Sequence, residues 1–229
     1  MSDIKLVVLD MAGTTLKDDQ NVAQAFHEAM KIQGYDIPFQ KINPLMGFKK
    51  TEAIMMMLKE YETESERITT TLIDIIHEDF IEIMIEFYEH SSDICALPGV
   101  EETMEIIKSK GIKIGVDTGF SKQVAELIVK RLGWREKGLI DVLVGSDEVE
   151  KGRPYPYMIE KMMAELSIEK GSGIAKVGDT EVDVQEGFNA GCKYVIGITT
   201  GAYTRAELEK AKPTHIVDSF KEILPIILS

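Results

Sequence analysis

The chain has 229 residues, and its 39 acidic against 26 basic residues give a net charge of −13. This excess repels phosphate backbones and anionic lipid, so neither nucleic acid nor membrane is expected as a partner. No apolar run approaches the ~20 residues of a membrane span, and the start has no basic segment of the signal-peptide kind. Cys95 and Cys192 are too few for a disulfide framework. These features predict a cytoplasmic globular protein with reduced thiols.

Short apolar runs rich in β-branched residues alternate with amphipathic stretches along most of the chain. The predicted strands are residues 4–9, 112–116, 142–144, 174–177 and 194–198, and the predicted helices between them are 101–110, 123–132, 157–166 and 184–190. Near-continuous apolar character is typical of strands that are buried on both faces of a parallel sheet. The alternation therefore predicts an α/β fold with a Rossmann-like, doubly wound parallel sheet, in which ligands bind at the carboxyl ends of the strands.

Residues 18–91 contain no convincing strand. Val22, Phe26 and Met30 follow helical spacing, as do the apolar residues of 54–61 and 73–87. We predict a core domain formed by residues 1–17 and 92–229, with an all-helical domain, residues 18–91, inserted after the first strand. The apolar first helix of this insertion offers a surface for a homodimer contact.

Carboxylates follow two of the predicted strands. Asp10 ends the first one, within Asp-Met-Ala-Gly-Thr-Thr, where it could act as a nucleophile or could cap a turn. Asp179 and Asp183 follow the 174–177 strand. Together with Asp10 they would form an oxygen-only site that suits Mg²⁺. Asp183 could instead cap the next helix.

Two further segments offer hydrogen-bond donors to an anion. Thr118 and Gly119, in Asp-Thr-Gly-Phe-Ser, end the 112–116 strand and supply a hydroxyl group and backbone amides. Arg153, in Lys-Gly-Arg-Pro-Tyr-Pro, supplies a planar cation that suits phosphoryl oxygens. Either segment alone would usually have a structural role. Together with the carboxylate segments, in this order along the chain and after these strands, the two segments are a strong indication of a site for a phosphoryl group.

These four segments resemble the four motifs of the haloacid dehalogenase superfamily, in their usual order and across nearly the whole chain. The resemblance implies that Asp10 attacks phosphorus to form an aspartyl-phosphate and that Thr118 holds the phosphoryl group. It also implies that Arg153 balances the negative charge on the Asp10 carboxylate and on the phosphoryl group. It also implies that residues 18–91 are the helical cap of the family. The Mg²⁺ ligands that it implies are Asp10, the carbonyl of Ala12, Asp179 and Asp183.

The residue at position 12 departs from the usual pattern. Most phosphatases of this superfamily have a second Asp there, which protonates the leaving oxygen and later activates water, whereas this chain has Ala12. Because a positioned general acid contributes ~10²–10⁴-fold to a rate, we expect hydrolysis of ordinary phosphate esters to be slow. The phosphonoacetaldehyde hydrolase branch, which cleaves a P–C bond, also has Ala at this position.

That branch uses a cap lysine, which forms a Schiff base with the substrate aldehyde. The segment Pro-Leu-Met-Gly-Phe-Lys-Lys, residues 44–50, resembles its Met-Gly-x-x-Lys sequence and places Met46 beside the substrate and Lys50 on the lysine. A neighbouring cation such as Lys49 could lower the pKa of the amine. The alternative is that both lysines are solvated.

Two departures from this branch suggest a sister group with a different aldehyde or phosphonate as substrate. Ala53 stands where the branch has His, and Met11 stands where it has Trp. We expect a Mg²⁺-dependent, phosphonatase-like hydrolase of a small phosphonate. The alternatives are a phosphatase of a small phosphorylated metabolite and a non-catalytic metabolite-binding protein, against which the mutual repulsion of three carboxylates argues.

Overall fold

The computed structural model describes residues 3–169 and 173–229, and within these ranges the strands form one parallel sheet. The strands are β1 (Ile4–Leu9), β2 (Lys113–Thr118), β3 (Val142–Gly145), β4 (Gly173–Gly178), β5 (Tyr194–Ile198) and β6 (His215–Val217). Their order across the sheet is β3-β2-β1-β4-β5-β6. The predicted doubly wound α/β class is confirmed, and β6 extends the sheet by one edge strand.

Helices account for most of the remaining regular structure in the described ranges. They are α1 (Asn21–Ile32), α2 (Phe39–Ile42), α3 (Lys50–Tyr61), α4 (Thr70–His90), α5 (Val100–Ser109), α6 (Lys122–Leu132), α7 (Tyr157–Glu165), α8 (Glu181–Asn189), α9 (Arg205–Ala211) and α10 (Ile223–Ile227). The regular elements of residues 18–91 are helices or short 3₁₀ turns, as the sequence predicts. In the part of the chain that the structure describes, no helix has the length and apolarity needed to cross a bilayer.

The sheet is covered on both faces because consecutive residues of β1 are apolar. Val7 and Leu9 belong to a core cluster that includes α5, α6 and α10, whereas Leu6 and Val8 belong to a second cluster with α7 and α8. All four side chains are fully buried. Two-sided burial explains why this run lies at the centre of the sheet, paired with β2 on one side and β4 on the other.

The helical segment between β1 and β2 packs against the end of β2 through aromatic side chains. Phe26 of α1 and Phe80 of α4 lie with their ring centroids 4.5 Å apart. Phe120, which follows β2, lies 6.5 Å from Phe80 and 6.1 Å from Tyr88. The helices therefore lie beside the carboxyl edge of the sheet.

The strand order brings the predicted motifs to one place. The chain proceeds from β1 to β2 and β3 on one side, and then crosses to β4, β5 and β6 on the other. Such a reversal leaves a crevice at the carboxyl ends of the central strands. Asp10 after β1, Thr118 at the end of β2 and Asp179 after β4 meet at this crevice.

Candidate active site

Asp10 lies at the wall of a cavity of about 160 Å³ at the carboxyl edge of the sheet. The side chain is almost fully buried, and its Oδ1 accepts a hydrogen bond from Nη1 of Arg153 at 2.7 Å. Burial raises the pKa of Asp10 to about 6, with the carboxylate of Asp183 acting in the same direction and the guanidinium of Arg153 opposing it. Above that pH the structure presents an ionised, poorly hydrated carboxylate, which is a suitable nucleophile.

The turn after Asp10 packs directly against Asp179. Gly13 has φ +87°, and a Cβ there would lie 2.7 Å from Oδ2 of Asp179, so both its conformation and its surroundings require glycine. Thr14 Oγ1 donates to Oδ1 of Asp179 at 3.1 Å, and the amide of Ala202 donates to Oδ2 at 2.6 Å. These contacts hold the carboxylate of Asp179 against the turn that follows Asp10.

Asp10, Asp179 and Asp183 form an acidic trio, with one carboxylate oxygen of each within 4.8 Å of the others. Burial raises the pKa of Asp179 well above its usual range, and the charges of Asp10 and Asp183 add to this effect. The Oδ1 atom of Asp183 is buried and accepts no hydrogen bond among the described residues, although it lies 3.2 Å from Nε of Arg153 and 3.3 Å from Nζ of Lys176. A divalent cation with a preference for oxygen ligands would relieve this repulsion, so the residues present fit Mg²⁺.

Asp183 also has a structural role in the first turn of α8. Its Oδ2 accepts hydrogen bonds from Thr180, from the hydroxyl group at 2.5 Å and from the amide at 3.2 Å. The helix-capping alternative is therefore present in the structure together with the acidic trio. Oδ2 of Asp183 therefore caps α8, and Oδ1 lies beside charged side chains.

Those charged groups include two fully buried cations behind Asp10. Arg153 forms ion pairs with Asp10, with Asp117 and, at 3.0 Å, with Glu186. Lys176 forms ion pairs with Asp117 at 2.5 Å and with Glu186 at 3.0 Å. Burial alone would raise the pKa of Asp117, but Arg153 and Lys176 hold it below its usual range. Burial and the charge of Asp117 raise the pKa of Glu186 to about 8. The network holds the guanidinium of Arg153 in place against Asp10.

Lys50, the first residue of α3, lines the same cavity. Its Nζ lies 5.2 Å from the ring centroid of Phe26, 5.9 Å from that of Phe80 and 5.0 Å from that of Phe120. Burial lowers the pKa of this amine to about 8, in spite of the opposing charge of Asp10. An amine with this pKa is partly unprotonated near neutral pH and can act as a nucleophile.

The expected effect of Lys49 on this amine is not what the structure shows. Lys49 Nζ donates to the carbonyl of Val149 at 3.1 Å, and the cation that lowers the pKa of Lys50 is Arg153. Burial has the larger effect. Sequence adjacency was misleading here because residues 49 and 50 begin a helix, where consecutive side chains point in different directions.

Residues 46–49 dock this lysine segment onto the sheet side of the cavity. The carbonyl of Gly47 accepts a hydrogen bond from Nη1 of Arg153 at 3.3 Å. A Cβ at Gly119 would overlap the carbonyl oxygen of Phe48, and one at Gly152 would lie 2.6 Å from Cβ of Lys49. The backbones approach so closely that glycine is required at both positions.

The family of the chain follows from comparison with known proteins. A family model of haloacid dehalogenase-like hydrolases matches residues 7–198. The chain belongs to this family. The hydrolase is 34% identical over 235 residues to a phosphonoacetaldehyde hydrolase of Parabacteroides distasonis, a match that covers 97% of this chain and 87% of the relative. The predicted resemblance to this branch is confirmed.

Two solved structures share the fold of the hydrolase. A phosphonoacetaldehyde hydrolase-like protein of Oleispira antarctica has a TM-score of 0.81 at 23% identity, with 99% of this chain and 92% of that chain covered. A predicted phosphoglycolate phosphatase of Haemophilus somnus has a TM-score of 0.78 at 22% identity, with 99% of both chains covered. Since both identities are low, these likenesses establish the fold alone.

The structure of the hydrolase brings most of the predicted site residues to one cavity. The predicted residues in its wall are Asp10, Ala12, Met46, Lys50, Thr118, Gly119 and Asp179. Arg153 and Asp183 are not part of the wall that the described residues form. Arg153 lies behind Asp10, where its guanidinium contacts the Asp10 carboxylate and its charge lowers the pKa of Lys50.

Several side chains of the site had no role in the sequence prediction. Lys176 interrupts the buried strand Gly-Ile-Ala-Lys-Val-Gly, and a charged residue there requires a buried partner, which is a usable signal. Glu186 lies three residues after Asp183 and therefore on the same face of α8. The aromatic side chains around Lys50 come from three separate elements, and their spacing is that of ordinary core residues.

Proposed function

We propose that this hydrolase is Mg²⁺-dependent and cleaves the P–C bond of a small phosphonate with an aldehyde group, either phosphonoacetaldehyde or a close analogue. The observation that carries the proposal is the presence of two nucleophiles in one cavity, the carboxylate of Asp10 and the buried amine of Lys50. A phosphonate aldehyde has an electrophile for each of them. The small volume of the cavity suits a molecule of this size.

The other residues bind and orient the substrate. In the proposal Asp10 attacks phosphorus while Arg153 holds its Oδ1, and Thr118 and Gly119 bind phosphoryl oxygens next to Met46. The helices of residues 18–91 form a cap over a core of residues 1–17 and 92–229. The residues that would hold Mg²⁺ are Asp10, through its carboxylate, Ala12, through its carbonyl, Asp179 and Asp183. Mg²⁺ at these ligands would offset the negative charge of the phosphoryl group.

Lys50 activates the leaving group, which Ala12 cannot do because it has no acidic side chain. Its amine forms a C=N bond with the aldehyde carbon, with loss of water, and the resulting iminium accepts the electron pair of the P–C bond as phosphorus moves to Asp10. The enamine that remains is protonated on carbon and hydrolysed, and a second water molecule hydrolyses the aspartyl-phosphate. No carboxylic acid has to protonate a leaving oxygen in the first step.

Reductive trapping tests this mechanism. Wild-type enzyme treated with phosphonoacetaldehyde and borohydride should gain a stable mass increase on the peptide that contains Lys50. Lys50→Ala should remain unlabelled and lose P–C cleavage, whereas the matched control Lys49→Ala should be labelled normally. Wild-type protein that hydrolyses phosphate esters without any label would contradict the proposal.

A phosphatase of a small phosphorylated metabolite is the second candidate. Asp179, Asp183 and Arg153 lie around Asp10, and none of these contacts involves Lys50. A panel of phosphate esters, assayed with wild type and Lys50→Ala in parallel, separates the two functions. Efficient ester hydrolysis that survives in Lys50→Ala would favour the phosphatase.

A further inference from the structure

The cavity has one ionisable side chain that the proposed function does not use. Four ionisable residues line it in the described part of the chain: Asp10, Asp18, Lys50 and Asp179. Asp10 attacks phosphorus, Asp179 belongs to the metal site and Lys50 forms the imine. Asp18 has no role in that scheme.

Asp18 precedes α1 and presents one oxygen to the helix. Its Oδ1 accepts hydrogen bonds from the amides of Asn21 at 2.8 Å and Val22 at 3.3 Å. Its Oδ2 has no hydrogen-bond partner among the described residues, and the side chain contributes to the cavity wall. One carboxylate oxygen is therefore fixed by the helix, and the other has no hydrogen-bond partner among the described residues, on a side chain that lines the cavity.

Asp18 and Lys50 influence each other electrostatically. Burial raises the pKa of Asp18, while the two helix amides and the charge of Lys50 oppose that rise. In return, the charge of Asp18 opposes the burial that lowers the pKa of Lys50. Among the described residues, the charge of Asp19 also raises the pKa of Asp18, and the charge of Asp18 in turn raises the pKa of the buried Tyr88 hydroxyl group.

Imine chemistry at Lys50 needs a group that takes up and returns protons. Ala12 and Ala53 cannot provide it, and none of the four histidines belongs to the described cavity wall. His77 is close enough for Lys50 to affect its pKa, which burial lowers, but it does not reach the cavity. Asp18 is the remaining candidate among the ionisable residues of the described cavity wall.

We propose that Asp18 transfers protons during imine formation at Lys50, an inference that rests on the proposed function. Asp18 and Lys50 form no direct ion pair among the described residues, so the carboxylate takes a proton from the lysine ammonium through one water molecule in the cavity. The freed amine bonds to the aldehyde carbon as the C=O π electrons move to oxygen. A proton passes from nitrogen to that oxygen. Asp18 then returns its proton to the resulting hydroxyl group, which leaves as water while the C=N bond forms. The reverse sequence hydrolyses the imine after P–C cleavage.

Asp18→Asn is the decisive variant because Asn caps a helix as well as Asp does. The single-turnover rate of borohydride trapping with phosphonoacetaldehyde should fall about 100-fold, within the range of ~10²–10⁴ for a positioned acid or base. Asp18→Ser, which also retains a capping oxygen, should behave in the same way. The matched control is Asp19→Asn, at an exposed carboxylate 2.6 Å from Lys17, and it should trap at the wild-type rate.

The pH profile of trapping distinguishes proton transfer from a purely electrostatic effect. Loss of the charge alone would lower the pKa of Lys50 and move the profile to lower pH, with the plateau rate unchanged. Proton transfer predicts that the plateau itself falls. A labelled wild type together with a wild-type plateau in Asp18→Asn would overturn this inference alone, whereas an unlabelled wild type would overturn the proposed function and this inference with it.

Discussion

Replacement of Lys50 by methionine should stabilise the folded chain. The amine has a pKa of about 8 in the folded protein, compared with 10.5 for an ordinary lysine. Because folding lowers the pKa of this cation, the unfolded chain binds more protons between these values, and the contribution of Lys50 to stability increases from pH 8 to pH 10.5. Below pH 8 its full cost is present. At ~1.36 kcal/mol per pKa unit, that cost is about 3 kcal/mol at pH 7 and about 1.4 kcal/mol at pH 9.5.

Urea unfolding at these two pH values measures the effect. Lys50→Met should raise the free energy of unfolding by up to about 3 kcal/mol at pH 7 and by about half as much at pH 9.5, since methionine suits an aromatic pocket and needs no hydration. The matched control is Lys49→Met, which loses the hydrogen bond to the carbonyl of Val149. It should be destabilised by ~1 kcal/mol at both pH values.

Two results would refute this reasoning. One is a Lys50→Met variant that is no more stable than the wild type at pH 7. The other is a gain in stability that is the same at pH 7 and pH 9.5, which would come from packing rather than from the charge. The expected result would show that the chain keeps a destabilising residue for its chemistry, as functional sites often do.

Three further variants test other parts of the site. Gly119→Ala places a methyl group against the carbonyl of Phe48, so residues 46–49 should be displaced and kcat/KM for phosphonoacetaldehyde should fall about 100-fold; an unchanged value would contradict the close packing. Lys176→Met leaves buried carboxylates with one cation fewer and should lower the free energy of unfolding by ~3–5 kcal/mol in urea; a stable variant would show that Arg153 alone suffices. Ala12→Asp restores a general acid and should raise p-nitrophenyl phosphate hydrolysis about 100-fold; no gain would mean that position 12 does not limit ester hydrolysis.

The sheet and its carboxyl edge could be predicted because their signals are local. The apolar run of β1 is buried on both faces, and in a parallel sheet the residue after each strand falls at the same edge. Asp10, Thr118 and Asp179 therefore meet in the cavity as the motif order implies. Asp183, for which the sequence allows two roles, caps α8 through Oδ2 and also belongs to the acidic trio.

The surroundings of Lys50 could not be predicted because they depend on tertiary packing. Phe26, Phe80 and Phe120 are far apart in the sequence and have the spacing of core residues, yet together they remove water from the amine. The adjacent Lys49, which from the sequence could lower the pKa of Lys50, donates to the carbonyl of Val149 instead. Such desolvation results from tertiary packing around the cavity, so it cannot be recognised from a short sequence motif.

The contact between Arg153 and Gly47 has a consequence for the order of events in a catalytic cycle. The same Nη1 atom donates to Oδ1 of Asp10 at 2.7 Å and to the carbonyl of Gly47 at 3.3 Å. Departure of residues 46–49 to admit a substrate would remove one acceptor from the guanidinium and let water reach the carboxylate. In such a cycle Asp10 would be shielded from water only once residues 46–49 had returned, so entry of the substrate would precede activation of the nucleophile.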